Sequence, residues 1–320
     1  MLKKLFNGTL RPEESVLLRK NLTRGFVNFV RYFFLLALSY VVLFQLLYMI
    51  SYSLRPESDM YNPSVVWIPS EITWHNFDVA IKALNYVDAG LVSLWLGQVS
   101  AMIEVFVCAV VAYGFARFEF GGKNFVFFLV LLTIMIPVQM LVVPTYLNYS
   151  HFDILGILNQ FRQWTGIDLR PNIVDTAWTF YLPSFFGVGV RSGLFIFIYR
   201  KFFESLPREL EEAAYVDGAG PMRTFLSVIL PSSGVVFLTV TIFSVIWHWN
   251  ENYMAGMYMV DNKPLAVMLD TFSSAAKNVG GDSRNSRMAA CLLFIAPVLV
   301  LYMFLQRKFV QSIDRVGIVG

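Results

Sequence analysis

Six long apolar runs divide this chain, near residues 30–54, 91–116, 125–147, 178–199, 235–255 and 288–306. A helix needs about 20 consecutive apolar residues to cross the hydrocarbon core of a bilayer. Each run has that length. The runs therefore predict an all-α integral membrane protein with six transmembrane helices. Composition agrees: 57% of the 320 residues are hydrophobic, 30 are Phe, and only 15% are charged, against about 25% in soluble domains. A soluble fold would have nowhere to hide that much apolar surface. The small formal charge of +3 lacks the basic face of a nucleic-acid binder.

Lys and Arg mark the cytoplasmic side of a membrane protein. Seven lie before or at the start of the first run, Arg31 being the last, two follow the second, four follow the fourth and three follow the sixth, sixteen on one side. The other side has eight, and Arg191 lies inside the fourth run. Both termini are thus expected in the cytoplasm. No short apolar core with a small-residue cleavage site precedes the first run, so no cleavable leader is expected. The segments divide as a basic cytoplasmic stretch 1–28, a six-span domain 29–308 and a cytoplasmic tail 309–320. The stretch 1–28 reads either as a basic amphipathic helix on the inner leaflet or as a solvated tail that only sets topology. Outer loop 148–177, with Trp164, Gly166 and Pro171, reads as a polar surface excursion.

Residues 205–220, SLPRELEEAAYVDGAG, stand apart on the cytoplasmic side. Ser205 suits a helix N-cap, and Pro207 suits the first turn. Glu209, Glu211 and Glu212 complement the positive end of the helix dipole. Leu210, Ala213, Ala214 and Val216 give an apolar face, and Gly218 and Gly220 stop the helix. A second short helix should run from Pro221 to Pro231. A short capped helix lying across the end of the bundle is a lever through which a soluble partner can act. The plainer reading is an interfacial helix packed beneath the bundle.

Glu212-Ala213-Ala214, Gly218 four residues on, and Ile229-Leu230-Pro231 resemble the EAA loop of binding-protein-dependent ABC importer permeases. Further elements resemble the sugar-importing, maltose-permease MalG-type branch. They are Trp67-Ile68-Pro69-Ser70 with Asn76-Phe77, Ala112 to Arg117, Met135-Ile136-Pro137 with Pro144 and Tyr146, Trp249-Asn250-Glu251, and Phe309-Val310-Gln311 with the closing Gly317 to Gly320. They occur in order along nearly the whole chain. Ile318-Val319-Gly320 lacks the lysine of the Val-Lys-Gly ending common in that branch, and outer loop 148–177 is longer than its usual counterpart.

The resemblance implies an inner-membrane permease subunit whose coupling (EAA) helix lies between spans four and five. It implies ATPase docking through Glu212, Ala213, Ala214, Asp217 and Gly218. The implied partners are a second permease subunit, two ATPase subunits that bind ATP and Mg, and an extracellular or periplasmic sugar-binding protein. No cofactor is expected in this chain: Gly121-Gly122-Lys123-Asn124 lacks the spacing that wraps a phosphate. Neither a hydrolase nor a metalloprotease motif is present. An amino-acid or peptide importer permease is the near alternative. A self-sufficient secondary transporter is the distant one, with Glu104 as its sole intramembrane carboxylate.

Four further expectations concern single residues. Pro137 and Pro144 should bend or break the third span, which would let it line the path. Trp249 and Asn250 are candidate path-lining residues. His248 either faces a pore or packs at an interface. Glu104 and Arg191 each lie thirteen residues into their runs, about 20 Å below the outer end of a straight helix. Charges near mid-membrane are costly, so an ion pair between them is preferred. A separate path-facing role for each, or misplaced span ends, are the alternatives. Cys108 and Cys291, each within an apolar run, read as small hydrophobes rather than a disulfide or metal ligands.

Overall fold

The computed structural model describes residues 12–65, 67–153, 156–281 and 283–317. Those residues form helices and connecting turns, without a strand among them. Helix α1, Pro12–Ser53, comes first among the described residues, and from Thr23 to Tyr48 its side chains are mostly exposed, as on a helix bathed in lipid. It contains the first apolar run but begins far earlier, so residues 12–28 belong to one rod with the span. Residues 1–11 lie outside the described residues.

Helix α2, His75–Leu84, ends at Asn85, whose positive φ reverses the chain. Helix α3, Tyr86–Arg117, follows, with one π-turn at Leu94–Gln98. Its inner half is lined with Ser100, Ala101, Ala109 and Ala112, all fully buried. Small residues let membrane helices approach closely, and α3 is accordingly the central helix of the bundle.

The third apolar run is broken. Helices α4, Lys123–Met135, and α5, Val138–Ser150, meet at 102° across Ile136-Pro137. Pro137 lacks the N–H that would continue the helix and holds the preceding residue extended. Pro144 sits within α5 without breaking it. Helix α6, Ile157–Thr165, lies in the following loop.

The fourth run is also in two pieces, α7, Trp178–Phe185, and α8, Ser192–Ser205. Between them Gly187 and Arg191 adopt positive φ. Among the described residues, three helices are long and apolar enough to cross a bilayer, Thr23–Ser53, Tyr86–Arg117 and Arg284–Gln306, and up to five if each bent pair counts as one. The fourth run contributes none by length because the break at 186–191 interrupts it.

Helix α9, Glu209–Val216, carries the EAA-like motif. It begins at Glu209, not Ser205: Ser205 is the last residue of α8, and its hydroxyl donates back to Phe202 O. The chain then forms α10, Pro221–Ser232, which meets α11, Gly234–Trp249, at 84°. Helix α11 ends before residue 255, and three short helices follow, α12 Tyr253–Tyr258, α13 Leu265–Asp270 and α14 Phe272–Asn278. Helix α15, Arg284–Gly317, closes the chain. It extends through most of the expected tail, and Ile318 to Gly320 lie outside the described residues.

Three apolar clusters hold these pieces. Phe195, Tyr199, Phe203 and Phe225 pack on α3. Leu84, Trp249, Phe272 and Ala289 join α2, α11, α14 and α15. Tyr149, Phe180 and Tyr258 join α5, α7 and α12. Free energy of about 1.5–3 kcal/mol per buried large apolar side chain is a soluble-protein figure; between membrane helices, close packing and hydrogen bonds do more of the work.

Candidate functional site

The short helix α9 is fixed at both ends. Gly218, at φ 78°, makes the left-handed turn that stops it. Ala219 N–H donates to Ala214 O and Gly218 N–H to Tyr215 O, both at 3.0 Å. That pair of bonds satisfies the last carbonyls of the helix. Near the start, Glu211 forms a 2.8 Å ion pair with Arg117 at the end of α3, and both side chains are buried. Arg117 Nη2 also donates to Leu206 O at 2.9 Å. The loop is therefore bolted to the central helix.

With Glu211 and Ala214 turned inward, the other motif residues face out: Glu212, Ala213, Asp217 and Gly218 are exposed. Beside them stand Leu210, Tyr215 and Met222, and Val216 is 87% exposed. Of the apolar face expected at Leu210, Ala213, Ala214 and Val216, only Ala214 is buried. The arrangement is a rigid knob with exposed carboxylates, Glu212 and Asp217 among them, and an apolar rim. The Arg117–Glu211 bond was missed by sequence reasoning. Its one signal is Arg117 closing the Ala112–Arg117 element, ninety-four positions from a run of three glutamates.

A second constellation lies inside the bundle. Glu104, fully buried on α3, accepts hydrogen bonds from Ser192 Oγ at 2.5 Å and Ser244 Oγ at 2.9 Å. His248 Nδ1 donates to Ser244 O at 2.9 Å and stands 3.7 Å from Glu104 Oε2. One carboxylate thereby ties α3 to α8 and α11. Gly189 closes over it: a Cβ there would stand 2.9 Å from Glu104 Oε1 and from Ser184 Oγ. His248 is packed inside this cluster, not facing a pore, and is 7% exposed.

No ion pair joins Glu104 to Arg191. Arg191 is exposed, with its guanidinium 5.9 Å from the Trp247 ring centroid. Equal depth on two straight helices was the premise of that pair, and Arg191 is not on a straight helix. It is the turn residue of the break, and its neighbour Ser192 reaches Glu104 instead.

A cavity of about 560 Å³ opens beside this cluster. Pro137 and Gln139 line it from the break in the third run, Ser184 and Arg191 from the break in the fourth, and Glu251 and Tyr258 from the segment after α11. Pro144, Trp249 and Asn250 are not among its lining residues. Trp249 is buried against α15, where Nε1 donates to Phe294 O at 3.1 Å. Asn250 Nδ2 donates to Ile246 O at 2.8 Å, which ends α11. Cys108 and Cys291 are both free thiols.

Residues 105–315 match the model of one protein family, described as the binding-protein-dependent transport system inner membrane component. The chain belongs to that family. The match begins at Val105 within α3 and runs into α15. It includes Arg117, Glu211 and the rest of α9 of this inner membrane component, and the Ser192, Ser244 and His248 side chains around Glu104, which itself lies one residue before it. The chain is similar to the trehalose transport system permease protein SugB of Mycobacterium tuberculosis, 29% identical over 87% of this chain and 93% of the relative. It is similar also to the arabinooligosaccharides transport system permease protein AraQ of Halalkalibacterium halodurans, 24% identical over 88% and 93%. The osmoprotective compounds uptake permease protein GgtD of Synechocystis is 28% identical over 82% of each chain. Among solved structures, a chain of a bacterial ABC transporter involved in the import of the acidic polysaccharide alginate shares the fold. Its TM-score is 0.65 at 20% identity, covering 91% of this chain and 98% of that one.

Proposed function

We propose that this inner membrane component is one of two permease subunits of an ABC importer for a sugar or oligosaccharide. It crosses the bacterial cytoplasmic membrane six times, α7 and α8 together making a broken fourth crossing, with both termini in the cytoplasm. A binding protein outside the membrane delivers the sugar. Two ATPase subunits, which bind ATP and Mg, dock on α9 and drive the path between outward-facing and inward-facing states. The chain itself carries no ATP site.

The observation that carries this reading is α9. Its buried Arg117–Glu211 bond makes it move with α3, while Glu212 and the rim of Val216 and Met222 stay exposed. Force applied to such a knob passes directly to the helix at the centre of the bundle. The sugar reading is supported by relatives whose own names specify trehalose and arabinooligosaccharides.

The test is affinity purification of the tagged chain from its host's membranes, followed by sugar uptake in a strain lacking it. An ATPase and a second permease should co-purify, and uptake of at least one saccharide should fall. Recovery of the chain alone, with ATP-independent uptake, would overturn the importer reading.

A further inference from the structure

Two separate helix breaks meet at one cavity. The backbone at Ile136-Pro137 and the backbone at 186–191 both leave helical geometry, and residues of both line the same 560 Å³ space. Irregular backbone at membrane depth is tolerated only where it is buried in protein or lines water. Discontinuous helices are also where membrane transporters place their substrate sites.

The charges in the cavity point the same way. Arg191 lines it from one break, and Glu251 lines the same space within electrostatic range of Arg191. Glu251 also accepts the Met254 N–H at 2.8 Å, which fixes its carboxylate at the start of α12. A cation and an anion facing a space inside the bundle are incompatible with a lipid-filled groove. Ser184 supplies an independent sign. Ser184 is among the residues that line the cavity, and its fully buried hydroxyl has no hydrogen-bond partner. A buried hydroxyl without a partner costs free energy unless something fills its need.

We propose that this cavity is a sugar subsite on this chain itself, selective for a neutral saccharide over an acidic one. The selection rests on the sugar-importer reading above. The guanidinium of Arg191 donates to sugar oxygens, the carboxylate of Glu251 accepts from hydroxyl groups, and Ser184 can do either. The Tyr258 ring lines the same space. A uronate or phosphate ester would pair with Arg191 but meet the negative charge of Glu251. The paired opposite charges therefore reject a net anion, while a polyhydroxy ligand satisfies both. The volume lies within the range of small-molecule sites and holds about one or two sugar rings.

Thr145 also lines the cavity, and a thiol placed there by Thr145→Cys tests this in membrane vesicles carrying the chain with its own partner subunits. Labelling with water-soluble anionic and cationic methanethiosulfonates is followed, and the parent chain, labelled in parallel, subtracts Cys108 and Cys291. The thiol should react with both reagents. Adding Arg191→Gln should favour the cationic reagent about tenfold, and adding Glu251→Gln should favour the anionic one similarly. Trehalose, cellobiose or arabinobiose should slow labelling, and digalacturonate should not. An unreactive thiol would show a space closed to water and sink the site. Labelling whose charge preference ignores both substitutions, protection by digalacturonate alone, or protection by no saccharide would each overturn the selection. These results are read without ATP or uptake, so failure here is separable from failure of the importer reading.

Discussion

Glu104 and Arg191 sit in neighbouring helices of the bundle and meet opposite fates. Glu104 lies on the continuous helix α3 and is fully enclosed, with hydroxyls from Ser192 and Ser244 on its two oxygens. Arg191 lies at the break between α7 and α8 and stays exposed in a cavity. The short helix α9 repeats the contrast between adjacent residues: Glu211 is buried against Arg117, and Glu212 projects outward. In each region one charge is used up in joining helices and the other is left for a partner. Charge type and sequence position do not separate the two kinds. The local backbone does, because it decides whether polar groups of a second helix can reach the charge.

The contrast predicts a large gap in stability between members of each pair. Glu211→Ala leaves Arg117 buried without its anion and should cost about 3–5 kcal/mol, as for other broken buried pairs. The measure is thermal unfolding of the detergent-solubilised chain, with Glu211→Ala/Arg117→Met recovering part of the loss. Equal stability of the Glu211→Ala variant and the parent would break the contrast in the cytoplasmic region. Glu104→Leu strands the Ser192 and Ser244 hydroxyls and should cost about 2–3 kcal/mol, whereas Glu104→Gln keeps an acceptor and should cost less. Arg191→Gln should stay within about 0.5 kcal/mol of the parent. If Arg191→Gln destabilises as much as Glu104→Leu, then Arg191 is a structural charge after all.

Gly193 sharpens the point that the break is built and not merely permitted. A Cβ there would overlap Thr133 Oγ1 and stand 3.0 Å from Val130 O, so α8 and α4 touch through it. Gly193→Val should cost about 1–3 kcal/mol by overpacking, read as the same unfolding shift. It should also separate α8 from α4 and so disturb the cavity without altering a single charge.

Hydropathy and end signals are local, and they made the apolar runs and α9 legible. The Gly218 stop is a case in point, because only a glycine adopts that φ without strain. Pro137 is another, since a missing N–H is a property of one residue. The Glu104 partners were not legible, because equal depth along two sequences holds only for straight helices. The break at 186–191 puts Arg191 out of reach and brings Ser192, one residue on, within 2.5 Å of the carboxylate. Nor did any local feature mark Ser205 as a helix end rather than a start. The side chains of Phe202 and Phe203 pack on the aromatic cluster and draw α8 through to Ser205, so tertiary packing overrode the capping preference. Charges were visible as charges, but which ones the fold encloses depends on contacts between segments 88 to 140 residues apart.

The smallest expected change in stability carries the sharpest functional reading. Glu212 is exposed on α9, next to the buried Glu211, and its only intramolecular role is to complement the helix dipole, about 0.3–1 kcal/mol. Glu212→Ala should therefore unfold almost with the parent. If Glu212 is the carboxylate that meets a basic residue of the ATPase, its loss should uncouple ATP hydrolysis from uptake or release the ATPase on purification, since a charge-assisted bond at an interface is strong. Gly218→Asp separates the two roles from the other side. It strains the turn at φ 78°, so it should shift α9 while leaving Glu212 in place. Uncoupling by both variants, with unfolding little changed for Glu212→Ala, ties coupling to the position of this carboxylate. Normal ATP-driven uptake by both would mean that the exposed member of the α9 pair is as idle as a solvated surface charge, and the division between enclosed and free charges would hold for structure alone.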